Sequence, residues 1–172
     1  IPHTAEEIWS YLKEEETFVQ LAEFPDYQEF ANQEELLDTW SAFMDFRDDV
    51  LKALEVARNE KLIGKSMEAK VTIYPSEQLE MLLKAVDTDL PQLLIISPDF
   101  FEVKAVGDIA PQEAQVFGEA KILVEKAAGE VCQRCRQMKN SIGTDKELPT
   151  LCAHCAEIVK EENPEAVSEG IE

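Results

Sequence analysis

Cys132-Gln133-Arg134-Cys135 and Cys152-Ala153-His154-Cys155 hold all four cysteines of the 172-residue chain. Sixteen residues separate Cys135 from Cys152, within the loop length of roughly 15 to 20 residues that marks paired C-x-x-C zinc sites. A tight turn flanked by two cysteines aims both sulfurs at one point about 2.3 Å away, and two such turns complete a tetrahedron. Four protein ligands leave no position for water or substrate, so the pattern predicts a structural ion. Zn²⁺ is the expected metal, with iron as another candidate. A redox dithiol needs one pair at a helix N-terminus after a strand, and here two pairs stand at ribbon spacing. His154 lies between ligands of an already full shell and reads as a surface histidine.

Working outward from the first pair, Arg134, Arg136 and Lys139 follow closely, with Lys146 further on, and Asp145 is the only acidic residue between Val131 and Lys146. This is the one clearly basic patch. Four thiolates and Zn²⁺ sum to minus two, so nearby cations relieve that charge. The same cations suit phosphate contact, and the two roles are compatible.

The chain as a whole is acidic: 16 Lys and Arg stand against 36 Asp and Glu, a formal net charge of −20. That charge disfavours a broad, nonspecific grip on a polyanion, because phosphate neutralisation needs clustered cations. At 45% hydrophobic residues the chain can bury a core. No uncharged apolar run approaches the roughly 18 residues that a membrane span requires, and no membrane association is expected. The start, Ile1-Pro2-His3-Thr4, reads as an internal piece of a longer cytosolic protein. P-loop, dinucleotide-glycine, G-x-S-x-G and H-E-x-x-H patterns are missing, and the carboxylates are scattered on solvent faces. Nothing in these residues looks catalytic.

Upstream, Thr4 and Glu7 form a capping box ahead of Ile8, Trp9 and Leu12, predicting a first helix over residues 5–16. Asn32 and Glu35 repeat the logic. Leu36, Trp40, Phe43, Val50, Leu54 and Ala57 then recur at helical spacing, predicting a long helix that Gly64 stops. Arg47 and Arg58 sit close to that stripe, as ion-paired or snorkelled side chains or as ligand contacts. Met67 to Tyr74 alternates with the period of a strand. Pro75-Ser76 opens a short helix with Leu79, Leu82, Leu83 and Val86 inward. Leu93 to Ile96, Phe100 to Val106 and Ala120 to Lys126 read as further strands. The fold class is α+β: a helical-bundle segment, then a small α+β unit, then a four-cysteine zinc ribbon.

Pro2-His3-Thr4-Ala5-Glu6-Glu7-Ile8-Trp9 resembles the P-H-T-x-E-E-I-W segment of the anticodon-binding helical domain in class I synthetases for branched aliphatic amino acids. Val19-Gln20-Leu21-Ala22-Glu23-Phe24-Pro25 is similar to the stretch that follows it in isoleucyl-tRNA synthetases. Arg58 to Lys61, Ile63-Gly64-Lys65-Ser66 and Glu68-Ala69 match that family's helix-to-strand junction, and Pro149 to Ala156 resembles its terminal ribbon. Valyl and leucyl relatives share the first motif but are not expected to end in this ribbon. One position departs: where many members carry an aromatic residue after the second cysteine, this chain has Arg136.

The resemblance implies residues 1–66 as part of the helical anticodon-binding domain, 67–128 as a small junction domain, 129–160 as the ribbon and 161–172 as an acidic tail. It implies a parent that joins isoleucine to tRNA(Ile) in the cytoplasm as a monomer. ATP and Mg²⁺ would be used in a catalytic domain absent here, and the fragment's partners would be the tRNA and the upstream domains of its own polypeptide. Cys132, Cys135, Cys152 and Cys155 would hold the metal; Arg58, Lys61, Lys65, Arg134, Arg136 and Lys139 would contact RNA. The rival expectation is a zinc-ribbon module that docks a protein and touches no RNA.

Overall fold

The computed structural model describes residues 2–12, 18–86, 88–163 and 165. Residues 1–33 and 34–172 form two compact units. In the first, α1 (Pro2–Leu12) is followed by a 3-10 turn at Val19–Leu21. The Val19 N–H donates to Glu6 Oε1 at 3.0 Å, so the glutamate near the helix start holds the returning chain. The helix begins two residues before Thr4, because Pro2 suits a first helical turn. Thr4 therefore lies inside α1, and the helix is described only to Leu12; residues 13–16, where it was expected to continue, lie outside the described residues. Ile8, Tyr11, Phe18, Leu21, Phe24, Tyr27 and Phe30 are all exposed.

The second unit is built on α2 (Gln33–Asn59), which buries Phe43, Phe46, Val50, Ala53, Leu54 and Ala57 at spacings of three and four. Its end differs from the expectation. The helix closes at Asn59, with Lys61 left-handed at φ 61°. The Leu62 N–H returns to the Ala57 carbonyl at 2.9 Å, and the Lys61 N–H to the Arg58 carbonyl at 3.0 Å. That is a Schellman turn with lysine in the place glycine usually takes. Gly64 instead gives its N–H to Glu68 Oε2, 2.9 Å away, inside the loop that follows.

β1 (Ala69–Pro75) is central in a four-stranded sheet of order β2-β1-β4-β3. It runs parallel to β2 (Phe101–Val103) and antiparallel to β4 (Ala120–Lys126), with Val71 opposite both Phe101 and Val124. Flanked on both sides, β1 buries Thr72 as well as Val71 and Ile73. β3 (Gln115–Phe117), which the sequence did not signal, forms a hairpin with β4 through Gly118-Glu119. The parallel connection is carried by α3 (Glu77–Val86) and α4 (Leu90–Leu94).

α4 corrects another expectation, the strand predicted over residues 93–96. A short apolar run has no diagnostic period, and here the flanks decide. Asp89 accepts from the Gln92 N–H and Pro91 sits in the first turn, so the run starts as a helix and ends at Ile95, left-handed at φ 58°. Leu94 and Ile96 enter the core beside Leu54, Ile73 and Ile122. Arg47, ambiguous from its spacing, donates from Nε to the Leu93 carbonyl at 3.0 Å and so fastens α4 to α2.

Candidate metal centre and basic surface

The cysteine segment opens with β5 (Glu130–Val131) paired to β6 (Met138–Lys139), Val131 opposite Met138. Between them the chain reverses: the Cys132 N–H reaches the Gln137 carbonyl at 3.0 Å and the Arg136 N–H the Cys132 carbonyl at 2.9 Å. Arg136 takes a left-handed conformation, φ 61°, to make this turn. The second pair opens α5 (Ala153–Glu162), with Cys152 at its N-cap and the Ala156 N–H bonded back to the Cys152 carbonyl. Two main-chain N–H groups bond across the knuckles: Gln133 N–H to the Thr150 carbonyl at 3.1 Å, and Cys152 N–H to the Cys132 sulfur at 3.4 Å. Leu148, Leu151 and Ala156 pack beside the cysteines as a small separate core.

The four sulfurs lie within 4.8 Å of one another. A tetrahedron of Zn–S bonds about 2.3 Å long sets its sulfurs roughly 3.8 Å apart, so the donors fit the ion after a small contraction. Electrostatics agrees. Burial alone would lift the Cys132 thiol, but the N–H groups of Cys135, Cys152 and Arg134 aimed at its sulfur outweigh it and bring it down to about 6. Burial pushes Cys152 up to about 12, helped by the neighbouring Cys155 and Cys132 sulfurs, and burial raises Cys135 as well. Sulfurs this crowded hold their charge together only around a cation. The Arg134 guanidinium, 3.7 Å from the Cys155 sulfur, donates across to the second knuckle. His154 is exposed, as its place between two ligands suggested.

Residues 1–73 match the family model described as the anticodon-binding domain of tRNA ligase, and residues 129–158 match the zinc finger found in FPG and IleRS. Over its whole length the chain is 63% identical to the isoleucine–tRNA ligase of Enterococcus faecalis strain V583, 55% to that of Latilactobacillus sakei and 52% to that of Lactobacillus acidophilus. The chain is thus similar, from end to end, to a segment of isoleucine–tRNA ligases. It spans 18% of the length of each of these curated relatives. The residues matched by that zinc-finger model include all four cysteines, with Arg136 at the turn after the second of them.

The cations predicted to contact RNA fall into two groups within the second unit. Arg58, Lys61 and Lys65 are exposed around the end of α2 and the loop after it; Arg58 Nη2 reaches Ser66 Oγ at 3.4 Å. That loop touches the chain entering the ribbon, for the Ala127 N–H donates to the Glu68 carbonyl at 2.8 Å. Gln133, Arg134, Cys135 and Arg136 form the exposed tip of the first knuckle, with Arg136 Nη1 donating to Gln133 Oε1 at 3.1 Å. Lys139 stands apart. Its ammonium is paired with Asp99 at 3.1 Å and is only 17% exposed. Sequence reasoning missed Asp99 and Ser97, which bond the ribbon to the sheet unit. A groove of 720 Å³ between α2 and β3–β4 carries Glu60, Glu113 and Glu125 around Lys126, a sign of charge that repels phosphate.

Proposed function

We propose that this chain is the part of an isoleucine–tRNA ligase that grips the anticodon arm of tRNA(Ile). One structural Zn²⁺ would be held by Cys132, Cys135, Cys152 and Cys155, and when bound it fixes the knuckle tip, because in so small a module binding free energy is folding free energy. Arg134 and Arg136 on that tip, with Arg58, Lys61 and Lys65 at the end of α2, would contact backbone phosphates. Lys139, paired with Asp99, acts through the seating of the ribbon. Arg136 in a position where relatives often carry an aromatic residue would clamp phosphate or stack through its guanidinium plane.

Residues 1–66 would belong to the helical anticodon-binding domain, 67–128 to a junction, 129–160 to the ribbon and 161–172 to an acidic tail. The longer protein would be cytoplasmic and monomeric, and would join isoleucine to its tRNA with ATP and Mg²⁺ bound in a domain outside these residues. No described helix is long and apolar enough to cross a membrane.

The observation that carries this reading is the convergence of four sulfurs within 4.8 Å beneath an exposed arginine-bearing turn. Filter binding of a tRNA(Ile) transcript tests it. Affinity should fall on zinc chelation, and the Arg134→Glu/Arg136→Glu double variant should bind more weakly with a shallower salt dependence. An unchanged salt slope in that variant would remove the knuckle from the RNA interface.

A further inference from the structure

The ribbon meets the sheet unit at one junction, and its bonds are specific. Asp99, in the 3-10 turn Pro98–Phe100 that leads into β2, receives the Lys139 ammonium on Oδ1 at 3.1 Å and the Asn140 N–H on Oδ2 at 2.8 Å. Both side chains of the ion pair are mostly shielded, 17% and 25% exposed. Two residues earlier, the fully buried Ser97 hydroxyl donates to the Met138 carbonyl. Phe100, Ala127 and Met138 form a buried apolar cluster of their own between the two parts. Gly129 lies where a Cβ would come 2.6 Å from Phe100 Cζ and 2.9 Å from the Lys139 carbonyl oxygen.

Three consecutive residues of the ribbon's return strand and its turn, Met138, Lys139 and Asn140, are thereby held by one short turn of the other part. Met138 and Lys139 are also the residues that pair with β5, the strand leading into Cys132. The junction therefore grips the strand pair from which the first knuckle projects. The metal shell shapes the knuckle internally but has no ligand from residues 34–131. Something else must set the direction in which the knuckle points.

We infer that Asp99 is a positioning residue: it fixes the orientation of the zinc ribbon against the sheet unit, and through it the placement of Arg134 and Arg136 against Arg58, Lys61 and Lys65. A single carboxylate suits the role because it accepts both a charge-assisted side-chain bond and a main-chain bond, locking a rotation that either bond alone would permit. The inference rests on the proposed RNA contact only for its functional consequence; the orientation itself is separately measurable.

Two experiments on the whole chain decide it. In the zinc-loaded protein, residual dipolar couplings from residues 69–126 and 130–160 should fit a single alignment tensor. Asp99→Ala should retain one zinc per chain yet require two tensors, and Asp99→Asn, which keeps an acceptor for the Asn140 N–H, should fall between. A single tensor in Asp99→Ala with unchanged orientation would overturn the inference.

The second experiment is a double-mutant cycle with a tRNA(Ile) transcript. Asp99→Ala should weaken binding roughly five- to tenfold, the scale of one ordinary hydrogen bond, but by less than about twofold in an Arg134→Ala/Arg136→Ala background. Equal losses in both backgrounds would mean general destabilisation and count against positioning. If Arg134→Ala/Arg136→Ala alone leaves affinity unchanged, the RNA reading of the knuckle fails, while the tensors still judge Asp99.

Discussion

Arg134 donates from its guanidinium to the Cys155 sulfur, 3.7 Å away, from the tip of one knuckle to a ligand of the other. Arg136, two residues on, turns instead to Gln133. The two arginines therefore differ in their relation to the sulfurs. Both are exposed on the tip, but only Arg134 also lies against a sulfur, where it relieves thiolate charge.

Removing Arg134 should loosen the metal. Partners of ligand atoms tune metal affinity by roughly 10- to 100-fold, so Arg134→Ala should release zinc to a chromogenic chelator about tenfold faster than the parent. Arg136→Ala should not change that rate. Equal rates in all three proteins would show that the sulfur contact does nothing for the metal.

Stripping the metal should melt one part and spare the other. The ribbon's own core is small, with Leu148, Leu151 and Ala156 gathered around the cysteines, while Leu54, Ile73 and Ile122 belong to the larger core. After chelation, hydrogen exchange should lose protection across residues 130–160 and retain it in β1 and β4. Cys132→Ser should reproduce the pattern, because Cys132 is fully buried and central to the shell.

Gly129 is required by close approach. Alanine there would push its Cβ to 2.6 Å from Phe100 Cζ and 2.9 Å from the Lys139 carbonyl. Overpacking of this kind costs about 1–3 kcal/mol, and Gly129→Ala should lower the denaturation midpoint accordingly. Phe100→Leu in the same chain should recover part of the loss, since the ring edge is the nearer obstacle.

Asp145 binds the loop between the knuckles to α5. Lys160 donates to its Oδ2 at 2.6 Å, and the Glu147 and Leu148 N–H groups reach Oδ1. The Lys160 bond holds the Asp145 carboxyl below its ordinary value of 3.8, and the same contact raises Lys160 above 10.5. A depressed carboxylate contributes stability that is present above its unfolded value and lost as pH falls through the folded one. The raised ammonium contributes below 10.5 and loses its share above it. Carboxyl NMR titration should find Asp145 under 3.8, and Lys160→Met should move it upward.

How much of this could be read from the sequence follows the range of the interactions. The convergence of the four cysteines was legible because the two pairs carry their own spacing, and β1, α3 and β4 were legible because their apolar periods are local. α4 was not, since four apolar residues fit a strand or a helical turn equally well until Asp89 and Pro91 are weighed as a start signal. β3 has three residues and only a hairpin to define it. The Ser97 and Asp99 contacts to Met138, Lys139 and Asn140 cross about 40 residues of chain, and no local pattern encodes them. Lys139 looked like a free cation for that reason.

The end of α2 gives a last test, because there a backbone demand and a charge fall on one residue. Lys61 takes φ 61° at the Schellman turn, a conformation that costs a side-chain-bearing residue about 1 kcal/mol more than glycine. Gly64, which looked like the stop signal, has an ordinary φ and serves the Glu68 carboxylate instead. Lys61→Gly should therefore raise unfolding stability by about 1 kcal/mol while it removes a cation from the proposed RNA face. Its tRNA affinity should drop, with a shallower salt slope, as stability rises. Lys61→Asn separates the two effects, since asparagine tolerates the left-handed region and carries no charge. Stability that falls in Lys61→Gly would place the helix stop elsewhere, and an unchanged salt slope in both variants would take Lys61 out of the RNA interface.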